Sequence, residues 1–297
     1  MNESQRTSYE VLKAGALDLA STWDGVAYRL GGETPPLSRC AQEAAVLPSG
    51  VEAPEKLTRT IAQDAATYVT AASQHVRALA GLLGPEAVLT GWSLTRALVE
   101  HCSRATWLLG LDVTPTGRVA RFYMERIVSL HMARLAAEQV GNRKRAKKLK
   151  RDREALLSQA RQVFPDIKLF KVEKLNDWAV GGETYAGLGK AVNGLGRDHL
   201  NTRGLYDMLS TFTHPSLYRL HAQTTVTQLE DQVHYAFTAH PDVIRWQIAV
   251  ASGSVYRAAH HVVAYLQLDV APLEQWADDH PELLAWSRSM DDPRTLR

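Results

Sequence analysis

The sequence predicts an all-α fold, a helical bundle of about seven to nine helices with at most a minor β element near residues 220–238. Three observations predict it. Apolar residues recur at threes and fours along most of the chain, the period of a helix that buries one face. Gly-Pro and His-Pro pairs punctuate those stretches as helix ends do. Finally, no alternation of strand-like and helix-like runs suggests a parallel sheet. With 297 residues, 45% of them apolar, the chain can bury a continuous core, which excludes the disordered and miniprotein classes.

Taken in order, Tyr9 to Thr22 predicts the first helix, and the Gly/Pro-rich stretch from Gly31 to Pro54 predicts a linker or a loop draped over the core. The expected division is therefore residues 1–55, an N-terminal helix with its loop or linker, and residues 56–297, the bundle. Leu57, Ile61, Ala65, Tyr68, Ala72, Val76, Leu79 and Leu83 set a helix from about Glu55 to Leu83. Gly84-Pro85 ends it, and Pro85 suits the first turn of the next helix, Glu86 to about Leu109. So short a connection makes these two antiparallel neighbours. Beyond the polar turn Asp112 to Gly117, a longer pattern runs from Arg118 to about Phe164. Its first half carries an apolar stripe, its second half is mostly charged, and Gly141-Asn142 predicts a break between them. Six of the 19 glycines fall in residues 181–196, where regular structure is expected to be interrupted. A helix from about Asp198 to Thr213 stops at His214-Pro215, because the residue before a proline is pushed out of the helical region. The β-branched run Thr224 to Thr227 is the only strand signal, and helices over Pro241–Gln267 and Pro272–Ser289 complete the bundle.

Lys plus Arg (34) against Asp plus Glu (32) leaves a net charge of +2, so any basic function is local. Two cysteines, Cys40 and Cys102, are too few for a disulfide framework and point to a reducing compartment. The N-terminus lacks a signal-peptide pattern and no apolar stretch approaches the length of a membrane span, so the expectation is a cytoplasmic chain with no membrane partner. The loudest local charge is seven bases within nine residues, Arg143 to Arg151, among them Lys147, Lys148 and Arg151. It reads either as a grip on a phosphate backbone or as a solvated helix end. The glycine cluster fails as a phosphate loop: the pattern ending at Gly189-Lys190 needs glycine at Thr184 and Ser or Thr at Ala191.

Arg96 and Glu100 lie four apart, with Ser103 and Trp107 continuing the line, and Arg121 and Glu125 repeat that spacing with Arg118 one turn earlier. If both faces point inward, these charges form either a buried ion-pair network or an anion-binding pocket. Tyr206, Ser210 and His214 share one helical face, and Pro215 fixes His214 at the helix C-terminus. There the imidazole either caps the last turn or serves as an acid–base group.

Together, Arg96-Ala-Leu-Val-Glu100 with Trp107, Arg118-Val-Ala-Arg121 and Tyr206-x-x-Leu-Ser210-x-x-x-His214-Pro-Ser resemble uncharacterised, mainly actinobacterial helical proteins distantly similar to the HEPN (higher eukaryote and prokaryote nucleotide-binding) superfamily. The resemblance covers about residues 57–220. It implies a helical bundle, often dimeric, whose active members are metal-independent ribonucleases of toxin and phage-defence systems. Those members place a histidine four to six residues after an arginine; here Arg96–His101 and Arg126–His131 meet that spacing without the polar residue usual after the arginine. The expectation that follows is a homodimer binding RNA or a nucleotide, with no cofactor and no metal. Arg118 and Arg121 would hold phosphate, His214 would act as acid or base, and Tyr206, Ser210, Glu100 and Arg96 would complete the pocket. Two other readings stay open. Glu100, Glu125, the Asp231/His234 pair and His260-His261 would supply a di-metal oxygenase, and a catalytically silent interaction protein needs none of them.

Overall fold

A computed structural model of the chain describes residues 3–82, 88–169, 175, 177–195, 204–214, 217–229, 232–237 and 240–284. Within them the expected all-α architecture is observed, with eleven α-helices and two small antiparallel hairpins. In chain order these are α1 (Glu3–Tyr28), α2 (Arg39–Val46), α3 (Pro54–Gly81), α4 (Val88–Leu109), α5 (Pro115–Gln139), α6 (Arg143–Val163), β1 (Ala179–Val180), β2 (Glu183–Thr184), α7 (Leu188–Leu195), α8 (Leu205–Thr213), α9 (Leu217–Ala222), β3 (Thr224–Leu229), β4 (Gln232–Phe237), α10 (Pro241–Leu266) and α11 (Ala271–Asp279). No helix among the described residues is long and apolar enough to cross a membrane.

The helix α10 is apolar or small on nearly every side, and Ile248, Ala251, Val255, Ala258, Ala259 and Val262 are all fully buried. A helix with that composition belongs at the centre, and α3, α4 and α1 pack around it. Contact with α4 is close at Gly91, where a Cβ would lie 2.7 Å from Gln247 Oε1. Residues 1–55 enter this same core: Leu19 and Trp23 of α1 are fully buried, and the stretch expected to be a linker or draped loop holds α2 with Cys40 and Ala44 buried. The Trp23 indole donates to Thr70 Oγ1 of α3 at 3.0 Å.

Local sequence explains the helix boundaries. Thr114 accepts the Gly117 N–H with Pro115 in the first turn of α5. At the expected break, Asn142 caps α6 by accepting the Arg145 N–H, so α5 and α6 form a helical hairpin. The β1–β2 turn is Gly181-Gly182, both at positive φ, as a two-residue hairpin requires. Within the glycine cluster the expected interruption is corrected in part: Leu188–Leu195 is helical, because Ala191, Val192 and Leu195 bury one face. The β element near 220–238 is a complete hairpin, β3 paired with β4 from Thr224↔Phe237 to Leu229↔Gln232. The helix expected from Asp198 begins at Leu205, after Gly204 at positive φ, and the last helix, expected to reach Ser289, ends at Asp279, where His280 leaves the helical conformation before Pro281. Gly84-Pro85, residues 198–203, Pro215 and residues 285–289 lie outside the described residues.

Candidate functional site

The sequence-predicted residues that meet in space lie on α4 and α8. Stacking of Trp92 on Phe212, with ring centroids 3.8 Å apart, docks α8 against α4, and Leu205 and Leu209 are buried beneath it. Arg96 is then the hub of four contacts. Its Nε donates to Glu100 Oε1 at 2.8 Å, Nη1 to Thr213 Oγ1 at 2.6 Å and to His214 Nε2 at 3.3 Å, and Nη2 to the Tyr206 hydroxyl at 3.4 Å. The guanidinium also lies 5.3 Å from the centre of the Tyr206 ring. Burial disfavours its charge, but the Glu100 carboxylate more than offsets this and raises the Arg96 pKa. An arginine has only donors, so His214 Nε2 accepts in this contact and the ring proton sits on Nδ1. His214 itself is extended and exposed, as a residue before proline should be. Ser210 contributes its carbonyl, which accepts the His214 N–H at 3.1 Å. Thr213 was not singled out from sequence.

Beside this cluster opens a cleft of about 590 Å³ lined by Tyr68, Glu100, His101, Arg104, Glu125, Ser129, Tyr185 and Tyr206, among others. Tyr68 donates to Glu125 Oε1 at 2.5 Å, and Arg104 Nη1 lies 3.6 Å from Glu125 Oε2. Arg104 also donates to the Ala186 carbonyl at 2.6 Å and lies over the Tyr185 ring. Burial, and then the Glu125 carboxylate, push the Tyr68 hydroxyl far above its ordinary pKa; Tyr185 is raised by the same causes. Tyr68, Arg104 and Tyr185 escaped the sequence reading. Arg104 had a signal, since Arg96, Glu100 and Arg104 form an i, i+4, i+8 stripe; Ser103, placed on that line from sequence, is instead fully buried and donates to the Glu100 carbonyl.

Two expected phosphate ligands lie elsewhere. Arg118 is fully buried, and its guanidinium is satisfied by both Glu43 oxygens (2.8 and 3.1 Å) and by the carbonyls of Leu108, Gly110 and Val113. It is a core ion pair, which corrects its assignment to the pocket. Burial alone would raise the Glu43 pKa, but hydrogen bonds from Arg118, Arg39 and Tyr265 outweigh it and hold the carboxyl below its ordinary value. Arg121 lines a second cleft of about 480 Å³, where it pairs with Glu183 at 2.8 Å and donates to the Trp107 carbonyl at 2.7 Å. The expected meeting of Arg96/Glu100 with Arg121/Glu125 is thus replaced by three separate pairs: Arg96–Glu100, Arg104–Glu125 and Arg121–Glu183.

The basic run forms the first half of α6. Lys147, Lys148 and Arg151 are exposed, with Lys148 paired to Asp152 at 2.6 Å. Met132 of α5 lines the first cleft, and α5 continues about 10 Å further, at roughly 1.5 Å per residue, before the run begins. The run therefore departs from the end of the α5 wall of that cleft. Among the described residues no three His, Cys, Asp or Glu side chains gather as metal ligands would, and Asp231 lies outside those residues. Compared with protein-family models, curated proteins and solved structures, the chain matches none.

Proposed function

We propose that the chain is an HEPN-like helical protein that binds the phosphate of RNA or a nucleotide at the Arg96–His214 cluster, and that it cleaves RNA there without a metal. One observation carries this reading: an arginine and a histidine 118 positions apart in sequence are brought within 3.3 Å, beside a cleft of about 590 Å³ that the arginine's partners Glu100 and Tyr206 line. The arginine is preorganised by Glu100 and Thr213, and its longest contact, from Nη2 to Tyr206 at 3.4 Å, is the one a phosphate oxygen would replace. When Arg96 Nη1 turns to a phosphate oxygen, the Nε2 lone pair of His214 is released. It then takes the proton of the adjacent 2′-hydroxyl while the 2′-oxygen bonds to phosphorus. The phosphorus–5′-oxygen bond breaks, the departing oxygen takes a proton from solvent, and the products are a 2′,3′-cyclic phosphate and a 5′-hydroxyl. Arg121 takes no part in this scheme, and the exposed bases of α6 extend the phosphate contact along the strand. The same reading includes a homodimer through the long helices, checked by light scattering.

The test is RNA cleavage in excess chelator by wild type, Arg96→Ala and His214→Ala, alongside RNA binding by anisotropy and metal content of the purified protein. Cleavage that survives chelator, falls by about 100-fold or more in His214→Ala and loses binding in Arg96→Ala is the expected result. Stoichiometric iron or manganese with chelator-sensitive activity would sink the scheme in favour of a metal enzyme. Binding without cleavage would reduce it to a phosphate-binding protein.

A further inference from the structure

Beside the Arg96–His214 pair, the first cleft is lined by two carboxylates and a histidine as well as by Arg104, Ser129 and three tyrosines. Glu100 and Glu125 both line it, and each commits one oxygen to a protein donor, Arg96 Nε at 2.8 Å and the Tyr68 hydroxyl at 2.5 Å. A carboxylate has several acceptor positions and no donor. His101 lines the same cleft. Its Nδ1 donates to the Ala97 carbonyl at 2.5 Å, so Nε2 is the ring nitrogen left to meet a ligand. Two of the donors alongside are turned to protein partners: Arg104 Nη1 bonds the Ala186 carbonyl at 2.6 Å and lies 3.6 Å from Glu125 Oε2, and the Tyr68 hydroxyl is held by Glu125.

Arg104, the cation among these lining residues, is paired with Glu125, and Glu100 with Arg96, so a phosphate finds no surplus positive charge at that depth. What enters must bring donors and a flat face, since Tyr68, Tyr185 and Tyr206 stand in the walls. Among the four RNA bases, only guanine carries two adjacent donors, N1–H and N2–H2, on its pairing edge. Adenine, cytosine and uracil each interpose an acceptor. We infer that this cleft is a guanine subsite in which Glu100 and Glu125 read the donor edge while Arg96 and His214 hold the phosphate; the inference rests on that pair being a phosphate site. The volume suits it, since clefts of about 300–1,000 Å³ bury ligands of nucleotide size.

Calorimetric titration of GMP, IMP, AMP, guanosine and spermidine against wild type, Arg96→Ala, Glu100→Gln and Glu125→Gln tests it. GMP should bind about tenfold or more tightly than AMP, with IMP, which lacks the N2 donors, in between. Glu125→Gln should shrink the GMP-to-AMP ratio. The wild-type ranking needs no variant to fold. Equal affinity for GMP, IMP and AMP, weakened in Arg96→Ala, overturns the guanine subsite and leaves the phosphate site standing. GMP no tighter than guanosine, with Arg96→Ala silent, sinks the phosphate site and keeps the base subsite. Spermidine binding tighter than GMP, or no binding by any probe, overturns the subsite.

Discussion

Arg118 and His131 show how the same residue types serve the core rather than a reaction. Removing Glu43 would strand the Arg118 charge in the interior, so Glu43→Ala should cost about 3–5 kcal/mol in urea unfolding, and pairing it with Arg118→Met should recover much of that loss. Because the Glu43 carboxyl is held below its ordinary value in the folded state, its contribution is present above the unfolded value of about 4.3. It is lost as pH falls through the lower folded one. The variant should therefore show a flatter acid limb than wild type. His131 has the same sense from a different cause. Burial, and then Arg153 and Arg134, lower its pKa, and neither ring nitrogen has a hydrogen-bond partner among the described residues. The unfolded chain takes up the proton first, so stability is full above about 6.5 and falls as pH drops below it. Unfolding midpoints of His131→Leu measured at pH 7.5 and 5.5 should differ less than those of wild type; an unchanged difference would assign the pH dependence to other groups.

At the scale of elements, what the sequence disclosed tracks the range of the interactions involved. Helices α3, α5 and α10 were legible because propensity, period and a proline at the first turn all agree. The α5–α6 break was legible because Asn142 is both a helix cap and the residue after a glycine at positive φ. The eight-residue helices α2 and α7 were not, since so short a helix shows little period and stands through tertiary packing. Likewise, Arg96 and Glu100 were readable as neighbours one turn apart, whereas the Glu43–Arg118 and Arg96–His214 contacts span 75 and 118 positions, which no local pattern reports. The basic run of α6 marks a further limit, because its charge was evident and its use was not. Replacing Lys147, Lys148 and Arg151 together by Gln should barely move the melting temperature, as all three are exposed. If the run grips phosphate, RNA affinity should fall and the slope of log affinity against log salt should flatten by about one for each phosphate no longer neutralised. An unaltered slope would make α6 a solvated surface.

On the scale of the whole molecule, the decisive question is whether residues 1–55 are an appendage or part of the cooperative unit. The buried side chains of α1 and α2 join the same hydrophobic cluster as α3, α4 and α10, and the ties across it are polar as well as apolar. Trp276 of α11 donates to the Gly15 carbonyl at 2.8 Å, and Tyr265 of α10 donates to Glu43 at 2.9 Å. A chain beginning at Pro54 would therefore uncover the apolar faces that Leu19 and Trp23 fill and, in the same cut, leave Arg118 without its carboxylate. The stranded charge alone costs about 3–5 kcal/mol, comparable with the low end of a typical domain's margin of about 5–15 kcal/mol, and the uncovered core adds to it. The truncated protein should lack a cooperative thermal transition and bind a hydrophobic dye, and Arg118→Met should not rescue it, because the exposed core would remain. A cooperative transition within about 5 °C of the full chain would instead make residues 1–55 an independent attachment and move the Glu43–Arg118 pair from a keystone of the fold to a local clasp.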